Sequence, residues 1–164
     1  KWYHNYGYGN MRDYPLAEEQ LEAVRTSATS KVMVLTGGPG TGKTTILNAI
    51  IQVFAENKAK ILLAAPTGRA AKRMSEAIGR EARTIHRLLE YTPKDDGFAR
   101  NEDNPLACGL LVVDEASMMD TMLAYHLLKP RSARPSYSWA MCISSRPWGR
   151  ATCLGISSLP GPCP

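Results

Sequence analysis

The chain has 164 residues and a mass of 18.0 kDa, room for one domain with a real core and not for two large ones. Apolar residues make up 44% and charged residues 21%, which excludes a wholly disordered chain, and no apolar run reaches the roughly 18 residues of a membrane span. The net charge of +5 misleads, because every Asp and Glu lies between Asp13 and Asp120, whereas Lys129, Arg131, Arg134, Arg146 and Arg150 follow with no acid. The first 128 residues balance to zero, so the pI near 9.1 is poor evidence that they bind nucleic acid. Cys142, Cys153 and Cys163 also fall in the tail without C-x-x-C spacing, which argues against a zinc site. The start, Lys1-Trp2-Tyr3-His4, carries no signal-peptide pattern. The expectation is a cytoplasmic fragment of something longer, with no membrane partner.

In chain order, Leu16–Val24 is a helix candidate preceded by Pro15, and residues 31–36 (K-V-M-V-L-T) read as a short buried strand. Thr44–Glu56 follows with Ile46, Leu47, Ile50, Ile51, Val53 and Phe54 at helical spacing. Ile61–Ala65 is a second apolar run closed by Pro66, and Gly68–Ile78 places Ala70, Ala71, Met74, Ala77 and Ile78 on one helical face. Thr84–Tyr91 reads as a short helix, 91–105 as a polar surface loop, Gly109–Val113 as a third strand and Ser117–Leu128 as another helix. Strands alternating with helices predict an α/β fold: a parallel sheet with crossover helices.

Residues 37–44 (G-G-P-G-T-G-K-T) fit G-x-x-x-x-G-K-[ST] between a predicted strand and a predicted helix. Glycines let the backbone turn so that successive N–H groups face one oxyanion cluster, and the helix start adds partial positive charge. Gly38, Pro39, Gly40, Thr41, Gly42, Lys43 and Thr44 are therefore candidate nucleotide contacts. Lys43 suits the β- and γ-phosphates of ATP, and the Thr44 hydroxyl suits Mg²⁺. The complementary piece is Leu110-Leu111-Val112-Val113-Asp114-Glu115, a buried strand ending in two acids. Asp114 can hold the Mg²⁺ shell and Glu115 can polarise an attacking water. Lys43, Asp114 and Glu115 form the candidate catalytic set.

These motifs and their order resemble RecD-type DNA helicases, the RecD/TraA branch of superfamily one, over residues 14–129. Residues 35–45 resemble motif I, 65–71 (A-P-T-G-R-A-A) motif Ia, 84–89 the short helix after it, and 113–118 motif II. The resemblance implies a P-loop, RecA-like sheet flanked by helices and ATP-driven 5′ to 3′ translocation on single-stranded DNA in recombination or repair, with helicase–nuclease subunits as further partners. It adds Thr45 to the nucleotide contacts, and Gln20 as the residue of a Q motif that touches adenine. It also implies DNA contact by Thr67 and Arg69. A Pro-Thr-Gly strand end at a helix start independently suits a phosphate. Arg69, Lys72 and Arg73 share a helical face, which without the resemblance reads as a solvated charged face. His86 stays open between structural hydrogen bonding and a contact role.

The tail departs from the family. Motif III, V-G-D-x-x-Q-L-P-S-V-G-P-G, is absent in the present frame. Codons begun on the third base of each present codon nevertheless permit L-V-G-D-V-H-Q-L-P-S-V-G-P-G-N-V-L from Tyr137 to Leu154. The single codons of Trp139, Met141 and Trp148 force a glycine, a valine and a glycine in it. This points to the net loss of one base near Lys129. The expected organisation is an N-terminal segment over 1–30 with the Q-motif-like helix, a partial P-loop domain over 31–129, and an out-of-frame, unstructured tail over 130–164. On that reading the parallel sheet is incomplete, and truncation after Lys129 leaves melting nearly unchanged. Two functions stay open: the motor fragment of a RecD-like helicase, or a catalytically dead nucleotide-binding fragment. A loader or kinase with a P-loop fits residues 37–44 but not 65–71.

Overall fold

A computed structural model describes residues 17–30, 32–37, 40–93, 97–101, 103–128, 139–144 and 152–156, the last two segments as backbone only. Gly38, Pro39 and the greater part of the expected tail lie outside the described residues.

The elements run α1 (Glu18–Thr29), β1 (Val32–Thr36), α2 (Lys43–Glu56), β2 (Ile61–Ala65), α3 (Gly68–Ile78), β3 (Ala82–Thr84) and α4 (Ile85–Leu88). A two-stranded antiparallel hairpin, β4 (Tyr91–Thr92) and β5 (Gly97–Phe98), precedes β6 (Leu110–Val113). A 3-10 turn (Ala116–Met118), α5 (Thr121–Leu128), β7 (Trp139–Ser144) and β8 (Thr152–Ile156) follow. The main sheet has the order β3-β2-β6-β7-β1-β8, parallel except for β8.

The sheet is covered on both faces. In β6, Leu110 and Val112 pack with α1, α2 and Met74 of α3, whereas Leu111 and Val113 pack with Ile85, Leu88, Leu123 and Leu127. Side chains alternate along a strand, so a strand buried on both faces is apolar throughout. Helix α2 supplies one cover because Ile46, Leu47, Ile50, Ile51 and Phe54 recur at its spacing and are all buried. Each such side chain contributes about 1.5–3 kcal/mol on burial. Helix starts follow local chemistry. The Thr67 hydroxyl oxygen accepts from the Ala70 N–H (3.2 Å), that of Thr84 from the Arg87 N–H (3.3 Å), and Asp120 Oδ1 from the Leu123 N–H (2.7 Å).

Three expectations are corrected. The surface loop over 91–105 contains the β4–β5 hairpin. The helix read over 117–128 splits at Met119, whose extended backbone (ψ 137°) ends the 3-10 turn before Asp120 starts α5. The tail is not wholly irregular, because Trp139–Ser144 pairs with both β1 and β6 and Thr152–Ile156 pairs antiparallel with β1. The slot between β1 and β6 offers unpaired backbone on both sides. A parallel strand there needs only a short apolar run, which Trp139–Ser144 supplies whatever frame it is read in.

Candidate functional site

Sheet register fixes where the motifs meet. Val34 of β1 is level with Cys142 of β7, which is level with Val113 of β6. The carboxyl ends of β1 and β6 therefore reach one edge of the sheet, two strand spacings or roughly 10 Å apart. Gly37 follows β1 at this edge and Asp114 follows β6. The end of β2 joins them, because the Asp114 N–H donates to Ala64 O (3.0 Å). Ligands of open α/β sheets bind beyond the carboxyl ends of strands.

The loop from β1 to α2 is built for a tight approach. Gly40 and Gly42 both have φ +77°, the left-handed region that glycine reaches without Cβ strain. At Gly42, a Cβ would stand 2.6 Å from Gln20 Nε2. The Gln20 amide is held from its other end, where Oε1 accepts the Ala17 N–H at the start of α1 (3.0 Å). Gln20 thus abuts the loop at the residue preceding α2. The first intrahelical bond of α2 runs from the Ile46 N–H to Gly42 O (3.0 Å), so the first-turn amides of Lys43, Thr44 and Thr45 belong to the anion-binding end of the helix. Lys43 Nζ donates to Gly37 O at 2.6 Å, folding the ammonium back across the loop. Thr41 is half-buried, and Thr44 and Thr45 are exposed.

Across the edge, Asp114 Oδ1 accepts the Glu115 N–H (2.8 Å). Glu115 has φ +52°, an unusual conformation for a side-chain-bearing residue and one that clusters at functional sites. Its carboxylate lies 4.0 Å from Arg73 Nη1. Thr67 caps α3, which leaves its hydroxyl proton to donate elsewhere. Arg69 follows, exposed, with no carboxylate partner among the described residues. The structure therefore brings Lys43, Thr44 and Thr45, Asp114 and Glu115, and Thr67 and Arg69 to the ends of three parallel strands, with Gln20 against the phosphate loop.

Sequence reasoning missed an aromatic group on the α4 and α5 side of the sheet. His86 meets Tyr91 edge-on at 5.8 Å, Tyr91 lies 5.3 Å from Phe98, Phe98 lies 4.8 Å from His126, and His126 meets Tyr125 at 5.5 Å. The rings come from α4, the hairpin and α5, so only tertiary folding assembles them. His86 is thereby placed in ring packing.

Residues 20–135 match the AAA domain family. The chain belongs to that family. Curated proteins that it resembles include RecD-type helicases. The ATP-dependent RecD2 DNA helicase of Deinococcus radiodurans is 45% identical over 113 residues, covering 69% of this chain and 16% of the relative. The RecBCD enzyme subunit RecD of Mycolicibacterium smegmatis is 37% identical over 136 residues, covering 68% and 24%. The chain thus spans about a sixth to a quarter of the length of these relatives. Among solved structures, the Pif1 helicase from Candida albicans superposes with a TM-score of 0.52 at 24% identity, over 80% of this chain and 32% of that one. The ATPase domain of a Thermus phage large terminase superposes with a TM-score of 0.53 at 17% identity, over 83% and 67%. At these identities the superpositions speak for the P-loop, RecA-like fold alone. The AAA domain of this chain is thus similar to a part of the RecD-type helicases that it matches. Among its described residues no helix is long and apolar enough to cross a membrane.

Proposed function

We propose that this domain binds ATP with Mg²⁺ and, as part of a longer RecD-like protein, couples ATP hydrolysis to movement along single-stranded DNA. The observation that carries the reading is the register that levels the ends of β1 and β6, because it puts a phosphate loop and an Asp-Glu pair at one sheet edge. The loop suits a phosphate group, since Gly40 and Gly42 at φ +77° let it turn tightly enough to aim its N–H groups at one anion. Lys43 would exchange its bond to Gly37 O for the β- and γ-phosphates. Thr44 and Asp114 would hold Mg²⁺, which commonly takes its other ligands from phosphate and water. The bound ion would neutralise charge on the transferring phosphate. Glu115 would orient and polarise the attacking water. Gln20 would sense the nucleotide from beside the loop, while Thr67 and Arg69 would contact a DNA phosphate at the start of α3.

A second reading, nucleotide binding without turnover, is favoured by the absence of motif III in the present frame. Charge-stabilising arginines supplied from another domain are worth roughly 10³- to 10⁵-fold in rate. ATP hydrolysis measured with and without single-stranded DNA separates the two: DNA-stimulated turnover supports the motor, whereas nucleotide binding without turnover supports the second. We also infer that residues beyond 129 are translated out of frame, on the strength of the codons that Trp139, Met141 and Trp148 force. Sequencing the coding DNA around Lys129 tests this. An intact frame there refutes it.

A further inference from the structure

Helix α5 has two apolar faces, and the fold covers one of them. Leu123 and Leu127 are buried and pack with Leu111 and Val113 of β6. Met122, Tyr125 and Leu128 lie three residues apart, which makes them neighbours along the helix, and they are 65%, 52% and 45% exposed. No Asp, Glu, Lys or Arg occurs from Thr121 to Leu128. A helix that is apolar on every side belongs in an interior rather than at a surface. The outward face extends beyond α5. Met118, in the 3-10 turn just before it, is 59% exposed. The rings of His126 and Phe98 link Tyr125 to Tyr91, which is also exposed. These five are the large apolar side chains left exposed among the described residues, so the exposure is gathered around one helix and not scattered singly.

We propose that this face is an interface for a second copy of the chain, a two-fold dimer with the α5 helices packed antiparallel about Tyr125. Charge and area select that occupant. Without a charged side chain on α5, two copies meet with no like-charge repulsion, and an ionic ligand finds no counter-charge there. Tyrosine and methionine are the residue types that interface cores favour. The five side chains offer on the order of 500 Å² per copy, so a symmetric pair buries roughly the 1,000 Å² that a specific but weak interface needs. A two-fold axis sets Tyr125 against its own counterpart and Met122 against Leu128 of the other copy. The inference does not rest on the functional reading above.

The test is sedimentation equilibrium of the whole chain from about 1 µM to about 1 mM, the window of a weak interface. The average mass is expected to climb from the 18.0 kDa of one chain to a plateau at twice that value. Tyr125→Glu and Tyr125→Lys, each checked for folding by its melting curve, are expected to stay at the mass of one chain. An equal mixture of the two is expected to dimerise again, because position 125 faces itself. Isotope-labelled methionine methyl groups give a second readout: the signals of exposed Met118 and Met122 are expected to move with concentration, and those of buried Met33 and Met74 to stay in place. A parent that keeps the mass of one chain throughout overturns the proposal, as does a mass that rises past two chains without a plateau. Association that fades as salt rises comes from the basic residues beyond 128 and also overturns it. A mixture of the two variants that fails to dimerise shows that the face does not meet itself, and sinks the proposal equally.

Discussion

Replacing Gly42 with alanine tests the contact between α1 and the phosphate loop. The new Cβ carries two costs. With φ at +77°, a side-chain-bearing residue is strained by about 1 kcal/mol. The Cβ would also stand 2.6 Å from Gln20 Nε2, the flexible end of that side chain, so the amide must shift, at most at the cost of the Ala17 N–H that Oε1 accepts at 3.0 Å. Losing a hydrogen bond of that kind costs about 1 kcal/mol. The sum is at most about 2 kcal/mol, or a fall in Tm of no more than about 4–8 °C for a chain of this size. Gly40 is the internal control, because its φ is also +77° but a Cβ there meets nothing within 4 Å. Gly40→Ala should show the first cost alone, about 2–4 °C. In a Gln20→Ala background, Gly42→Ala should fall to the Gly40→Ala value. Thermal unfolding by circular dichroism reads all of these, and a fluorescent ATP analogue reports whether the reshaped loop still binds. If Gly42→Ala costs no more than Gly40→Ala, or costs the same with and without Gln20, then Gln20 does not brace the loop.

Lys43→Ala should abolish Mg²⁺-dependent ATP binding in equilibrium titrations, and parent-like affinity would remove the loop assignment. Asp114→Asn should weaken binding only when Mg²⁺ is present, whereas Glu115→Gln should lose hydrolysis while still binding nucleotide. Equal loss of nucleotide in both would show that the two acids do not divide the work. Ending the chain after Leu128 removes the strand between β1 and β6, so amide protection across Val32–Thr36 and Leu110–Val113 should fall in hydrogen exchange; unchanged protection would restore the expectation of an unstructured tail. Arg83 donates to Glu81 through Nε (2.9 Å) and Nη2 (3.2 Å) and holds that carboxyl below its ordinary range. A lowered carboxyl contributes stability above its unfolded pKa and loses it as pH falls through the folded one. Both groups are exposed, so Arg83→Ala should raise the Glu81 midpoint in an NMR titration with little change in Tm.

Much of the site was legible because its signals are local. A loop such as residues 37–44 needs its glycines wherever it occurs, and the apolar run before Asp114 and Glu115 is short and β-branched enough to read as a covered strand beside that loop. The periodicity of α2 and the Thr67 cap of α3 are equally readable, since a helix is specified by residues three and four apart. These patterns carried the fold class, the helices that cover the sheet and the residues at its carboxyl edge. Other features have no local signature. Whether Gln20 faces the loop depends on how α1 packs against α2, and the Arg73–Glu115 pair joins elements far apart in sequence. The aromatic group needs the hairpin, α4 and α5 together. The strand at Trp139–Ser144 shows the limit most directly. A central parallel strand carries no alternation to read, so only the unpaired backbone of β1 and β6, brought face to face by folding, decides that this run lies between them.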